Sequence, residues 1–131
     1  MQTFLPYPDF AKTASILDYR RLGNQRIEAR QIINVLEGKT TAWQHHPIVR
    51  MWCGHTDALK HYFNIISQEW MHRGYKHNMG FYNLPQTIFF PQWLGREDLH
   101  LSHRSNLVRK KPEYYQKFFP NIPDDLPYIW L

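Results

Sequence analysis

YRRLGNQRIEARQIINVL, residues 19–36, is the stretch whose reading decides the fold. Within it Leu22, Ala29, Ile33 and Leu36 recur at spacings of seven, four and three, which places them on one helical face. Asp18 stands where an N-cap belongs, and Gly38 follows as a stop. The spacing predicts a helix from about Tyr19 to Leu36. Working outward, a second helix is predicted from about His55 or Thr56 to His72. Its inward stripe is Leu59, Tyr62, Phe63, Ile66 and Trp70, and Arg73-Gly74 supplies a cation and then a left-handed stop. A third covers about His103 to Lys111, and Pro112 restarts a last helical turn through Tyr115 and Phe118.

The remainder lacks helical period. Residues 76–101 are rich in Gly, Pro and aromatics and read as a long structured loop laid over the helices. Thr87 to Phe90 is at most a short extended piece, because no hairpin signal accompanies it. After Pro120 the chain reads as an extended strap that docks Tyr128, Ile129 and Trp130 on the core. The expected fold is all-α: one compact domain over residues 1–131, with three principal helices, a long aromatic loop and a C-terminal strap.

Composition bounds the function. A chain of 131 residues suits one core, and 43% hydrophobic with 16% aromatic content argues against disorder. So many rings in so small a domain must include exposed ones, which in a basic protein suit stacking on bases. The formal charge is +5 and the pI about 9.4. The charge is clustered: Arg20, Arg21, Arg26 and Arg30 face only Glu28, and Arg104, Arg109, Lys110, Lys111 and Lys117 face only Glu113. That distribution favours a polyanionic partner. A single Cys53 excludes an intramolecular disulfide and a cysteine-based zinc site. Met1 to Pro8 has no basic n-region, and no apolar run reaches membrane-spanning length, so a cytoplasmic protein without a membrane partner is expected.

Several side chains are candidates for chemistry. At 100° per residue Arg21, Gln25 and Glu28 form one narrow stripe beside the apolar face of the first helix. A carboxylate between arginines there is either a structural ion pair or a tuned catalytic group. His45, His46, His55 and His61 raise the question of a metal. His55 and His61 are six apart and share no face, and no carboxylate completes a set, so neither metal nor cofactor is expected. Trp52, Trp70 and Trp93 read as core.

Three segments, in order, carry a resemblance. Asp18-Tyr19-Arg20-Arg21-Leu22 with Arg26 is similar to the acidic-Tyr-Arg-Glu-Leu…Arg segment of the phage pyrimidine-dimer glycosylase/AP lyases. Pro47 followed by Gly54-His55, with a helix closed by Arg73-Gly74-Tyr75, resembles that family's Pro…Gly-His opening and Arg-Gly-aromatic ending. Pro112 to Phe119 resembles its Pro-x-Trp-Tyr-x-x-aromatic tail. The family cuts the glycosidic bond at cyclobutane pyrimidine dimers and then the DNA backbone, through an amine Schiff base at C1′.

The resemblance implies a base-excision repair enzyme acting on double-stranded DNA that contains a damaged base. It departs from the family at two places. Arg21 stands where the family has its catalytic Glu, which leaves Glu28 on the same stripe and Asp18 before it as the carboxylates in reach. The family's nucleophile is a terminal amine freed by loss of the initiator Met, whereas the large Gln2 implies that the amine is that of Met1 itself. Glu28 is expected to be kept ionised by its positive neighbours and to shuttle a proton, with Arg21 beside it. Arg20, Arg21 and Arg26 are expected on phosphates flanking the lesion. Arg30, His55, Arg104, Arg109, Lys110, Lys111 and Lys117 extend the DNA surface, and Tyr114, Tyr115, Phe118 and Phe119 replace lost base stacking. The competing reading is a non-catalytic DNA-binding accessory protein on the same scaffold.

Overall fold

The computed structural model describes all of residues 1–131 and contains no strand. Its helices are α1 (Phe10–Ile16), α2 (Tyr19–Leu36), α3 (Pro47–Trp52), α4 (Thr56–His72), α5 (Glu97–Lys110) and α6 (Pro112–Tyr115). None is long and apolar enough to cross a membrane. The long helices α2 and α4 occupy the spans their periodicity predicts, and they form the main helix pair. Leu22, Ala29 and Ile33 of α2 and Leu59, Tyr62, Phe63 and Ile66 of α4 are fully buried, while Leu36 and Trp70 are half-buried at the edge. Each large apolar side chain so buried contributes roughly 1.5–3 kcal/mol over its exposed state. Gly23 permits the pairing, because a Cβ there would lie 2.9 Å from the Trp70 ring. Gly38 and Gly74 follow α2 and α4 at φ of +75° and +94°, as the stop signals require.

The short helices α1 and α3 add to the three principal ones. At seven and six residues they offer too few repeats to show a period, and such lengths persist only through tertiary packing. The Asp9 carboxylate accepts from the Lys12 N–H to cap α1, and His46 Nδ1 accepts from the Ile48 N–H to cap α3. Helix α5 starts at Glu97, six residues before the expected start at His103. Its inward face is largely polar: beside Leu99, Leu107 and Val108, the side chains of His100, Ser102, His103, Ser105 and Asn106 are all buried. A helix that buries polar groups leaves no apolar period to read.

Those buried polar groups hold two extended segments, one on each side of α5. At the C-terminus, Ser105 Oγ accepts from the Leu126 N–H and Asn106 Nδ2 donates to the Leu126 carbonyl, both at 3.0 Å. Tyr128 and Ile129 then dock as expected, but Trp130 stays 40% exposed. At the N-terminus, His103 Nδ1 accepts from the Leu5 N–H at 2.9 Å. His100 Nε2 accepts from the Gly95 N–H, so its Nδ1–H donates to the Leu5 carbonyl at 2.7 Å. Burial pushes His103 down to about 3, so it stays a neutral acceptor. Buried backbone without a sheet must find side-chain partners, and this segment finds them residue by residue.

The aromatic loop before α5 is structured as expected, and arginines fasten it. Arg26 bonds to His77 Nδ1 at 2.9 Å, and Arg30 donates to the Met79 carbonyl at 3.1 Å. Asn64 exchanges two hydrogen bonds with the backbone of Tyr82.

Candidate active site

A cleft of about 490 Å³ opens between the N-terminal segment, α2, the end of α5 and the C-terminal strap. Met1 and Glu28 line it together with Arg20, Arg21 and Lys110. Helix α2 brings Arg21 and Glu28 to one side, as their shared stripe predicts. The N-terminal segment brings the terminal amine to the same place.

One buried glutamine organises that meeting. Gln25 Oε1 accepts from the Phe4 N–H at 2.9 Å and from the Tyr62 hydroxyl at 2.6 Å. Its Nε2 donates to the Gln2 carbonyl at 2.9 Å and to Glu28 Oε2 at 3.0 Å. The Gln2 N–H approaches the other carboxylate oxygen, Oε1, at 3.4 Å. Glu28 is thereby set one residue from the chain's amine.

Electrostatics differ from the expectation at this carboxylate. Burial raises the Glu28 pKa above its ordinary value. The terminal amine, the Gln2 N–H, Gln25 and Lys110 pull downward without offsetting it. Arg21 is not among those influences: it pairs with Asp18 at 3.2 Å. A carboxyl whose pKa is raised by burial suits proton transfer.

Asp18 itself is 2% exposed and does not line the cleft. It occupies the N-cap position of α2 but makes no side-chain cap bond. Its carboxylate accepts instead from the Tyr115 hydroxyl and from Arg21. Burial pushes its pKa upward, but these bonds outweigh it and the net shift is downward.

A family described as pyrimidine dimer DNA glycosylase matches residues 1–83. The chain belongs to that family. No curated protein and no solved structure matches it. Its class is therefore that of DNA glycosylases, with damaged DNA as substrate, in agreement with the resemblance drawn from the motifs. The match includes Met1, Arg20, Arg21 and Glu28, whereas Lys110, Tyr128 and Trp130 reach the same cleft from beyond it.

The predicted DNA-contact residues divide sharply in this glycosylase fold. Arg20, Arg109, Lys110 and Lys117 are exposed, and Lys111 is half-exposed. Lys117 lies 4.9 Å over the half-buried Tyr114 ring, and Phe118 beside it is 37% exposed. Others are committed internally. Arg26 stacks 4.6 Å over Trp70 as it holds His77, and Arg30 holds the loop. Arg104 donates to the Pro6 carbonyl and to Glu97. His55 faces the Phe89 carbonyl at 3.2 Å. Tyr115 is fully buried and Phe119 nearly so, which removes both from the stacking surface. Spacing cannot separate a guanidinium that meets phosphate from one that ties down a loop.

Sequence reasoning missed Gln25 as the hub of the site, and it missed His46, Tyr128 and Trp130 on the cleft wall. Gln25 lay on the stripe already identified, but three of its four partners, Gln2, Phe4 and Tyr62, come from elements that only folding brings together. His46 immediately precedes a helix-starting proline, and that local signal marks it as a cap.

Proposed function

We propose that this chain is a DNA glycosylase with AP lyase activity, in which the Met1 amine is the nucleophile and Glu28 the proton carrier. The single observation that supports it is the 3.4 Å approach of Glu28 Oε1 to the Gln2 N–H, in a cleft that Met1 itself lines. The amine attacks C1′ of the damaged nucleotide as the C1′–N bond breaks, and the electron pair leaves with the base. Glu28 takes the proton the amine loses, and ring opening yields a Schiff base. Removal of a C2′ proton then expels the 3′ phosphate by β-elimination. Carboxylates of this kind serve as base and then as acid when their pKa is lifted toward neutrality. Arg20, Arg21 and Lys110 hold the flanking phosphates, and Arg109, Lys111, Lys117 and Tyr114 continue that surface along the duplex. Asp18, buried and bound to Tyr115, is not the acid.

Borohydride trapping on an abasic duplex tests the reading. The expected result is a covalent protein–DNA adduct that disappears when the terminus is acetylated, while binding persists. Strand cleavage that survives acetylation refutes the amine mechanism. Binding with neither cleavage nor adduct identifies the accessory protein instead.

A further inference from the structure

His46 is the one cleft-lining histidine, and its ring is oriented by the backbone rather than by the site. Nδ1 accepts from the Ile48 N–H at 3.0 Å, so the nitrogen's lone pair is committed. A neutral imidazole with an acceptor Nδ1 must carry its proton on Nε2. Burial and then the nearby terminal amine lower the pKa of His46, both favouring that neutral form. Nε2 makes no hydrogen bond within the chain and is not sealed from solvent. The ring is a fixed donor in search of an acceptor.

Its neighbours are aromatic. Trp130 stands 5.6 Å from His46 at 80°, and Tyr128 stands 5.7 Å from Trp130. Both line the cleft, and Trp130 is 40% exposed. Glu28, Arg20 and Arg21 line the same cleft. The cleft thus combines charged groups and the amine, which suit the sugar and phosphates, with flat rings and one neutral donor. A π-surface with a single hydrogen-bond donor is the chemistry that recognises a nucleobase.

We propose that His46 contacts the departing base, with Nε2–H donating to an acceptor on it and the faces of Trp130 and Tyr128 packing against its ring. This deepens the glycosylase reading above and depends on it. As the C1′–N bond breaks, its electron pair passes to the base and collects on an acceptor such as the pyrimidine O2. A preorganised donor at that atom stabilises the charge, and the base then takes its proton from water. In this role the Nε2–H donor serves bond cleavage at the base, and the steps that follow base loss do not require it.

That separation supplies the test. His46→Ser keeps an acceptor that caps α3 while removing the ring and Nε2. On pyrimidine-dimer DNA the variant is expected to cleave the glycosidic bond roughly 10²–10³-fold more slowly, the loss typical of one such donor. On abasic DNA, where no base is present, its borohydride adduct and strand cleavage are expected to match wild type. Equal slowing on both substrates, or on neither, overturns the role of His46. If wild type forms no adduct on abasic DNA, the amine mechanism fails first, and that result is distinct from either.

Discussion

The Tyr62 hydroxyl donates to Gln25 Oε1 at 2.6 Å, and through that bond the core of α4 sets the position of a carboxylate on α2. Tyr62→Phe removes the hydroxyl and leaves the ring. It is expected to cost about 1–3 kcal/mol, because Gln25 loses a buried partner and the Phe4 carbonyl loses another. Urea denaturation measures it. An unchanged midpoint would show that the Gln25 network does not depend on α4.

Glu28→Gln is expected to abolish strand cleavage and leave DNA affinity intact or increased. Its stability has a definite sign. Burial raises the folded pKa of Glu28, so its contribution is full below the unfolded pKa and is lost as pH rises through the folded value. A glutamine never ionises and escapes that loss. The variant should therefore be more stable than wild type near neutral pH, with the gap closing below about pH 4. Thermal melts at both pH values check it, and a destabilised variant at neutral pH would mark Glu28 as a structural ion-pair partner.

Tyr115→Phe separates a structural tyrosine from a DNA-facing one. Losing the bond to buried Asp18 is expected to cost about 1–3 kcal/mol. The Asp18 pKa is lowered in the fold, so its contribution is present above the unfolded pKa and lost as pH falls through the folded one. The variant should show less of that acid-side loss. Its DNA affinity per folded molecule should equal wild type, since the ring is fully buried, and titration of labelled duplex tests this.

Charge removal should sort the arginines by their partners. Replacing Arg109, Lys110 and Lys111 with glutamine is expected to weaken binding to all sequences about equally. It should also shallow the salt slope by about 1 for each phosphate that is no longer neutralised. Arg26→Gln and Arg30→Gln should lower stability and leave the slope unchanged, because both guanidiniums hold the loop. A salt series of dissociation constants distinguishes the two groups.

The legible parts of this protein were those whose signal is local. The period of Leu22, Ala29 and Ile33 located α2, and the same logic located α4. The stripe of Arg21, Gln25 and Glu28 located one wall of the cleft. The last two turns of α5 were predicted from His103 onward, but residues 97–102 escaped because the helix buries histidines, serines and an asparagine, which imitate a solvent-facing pattern.

By itself, the sequence determined the helical class, the two principal helices, the basic character and the family, because each depends on periodicity, composition or motifs within a short span. Only the tertiary structure decided which carboxylate shares a cleft with Met1. Asp18 stands at the N-cap position of the helix that carries Glu28, yet one is closed in by Tyr115, 97 positions away, and the other faces Gln2 across 26. It also decided which cations stay free and which rings stay exposed. Solvation and partner choice arise from packing between distant segments, and no spacing along the chain encodes what a side chain will find opposite it.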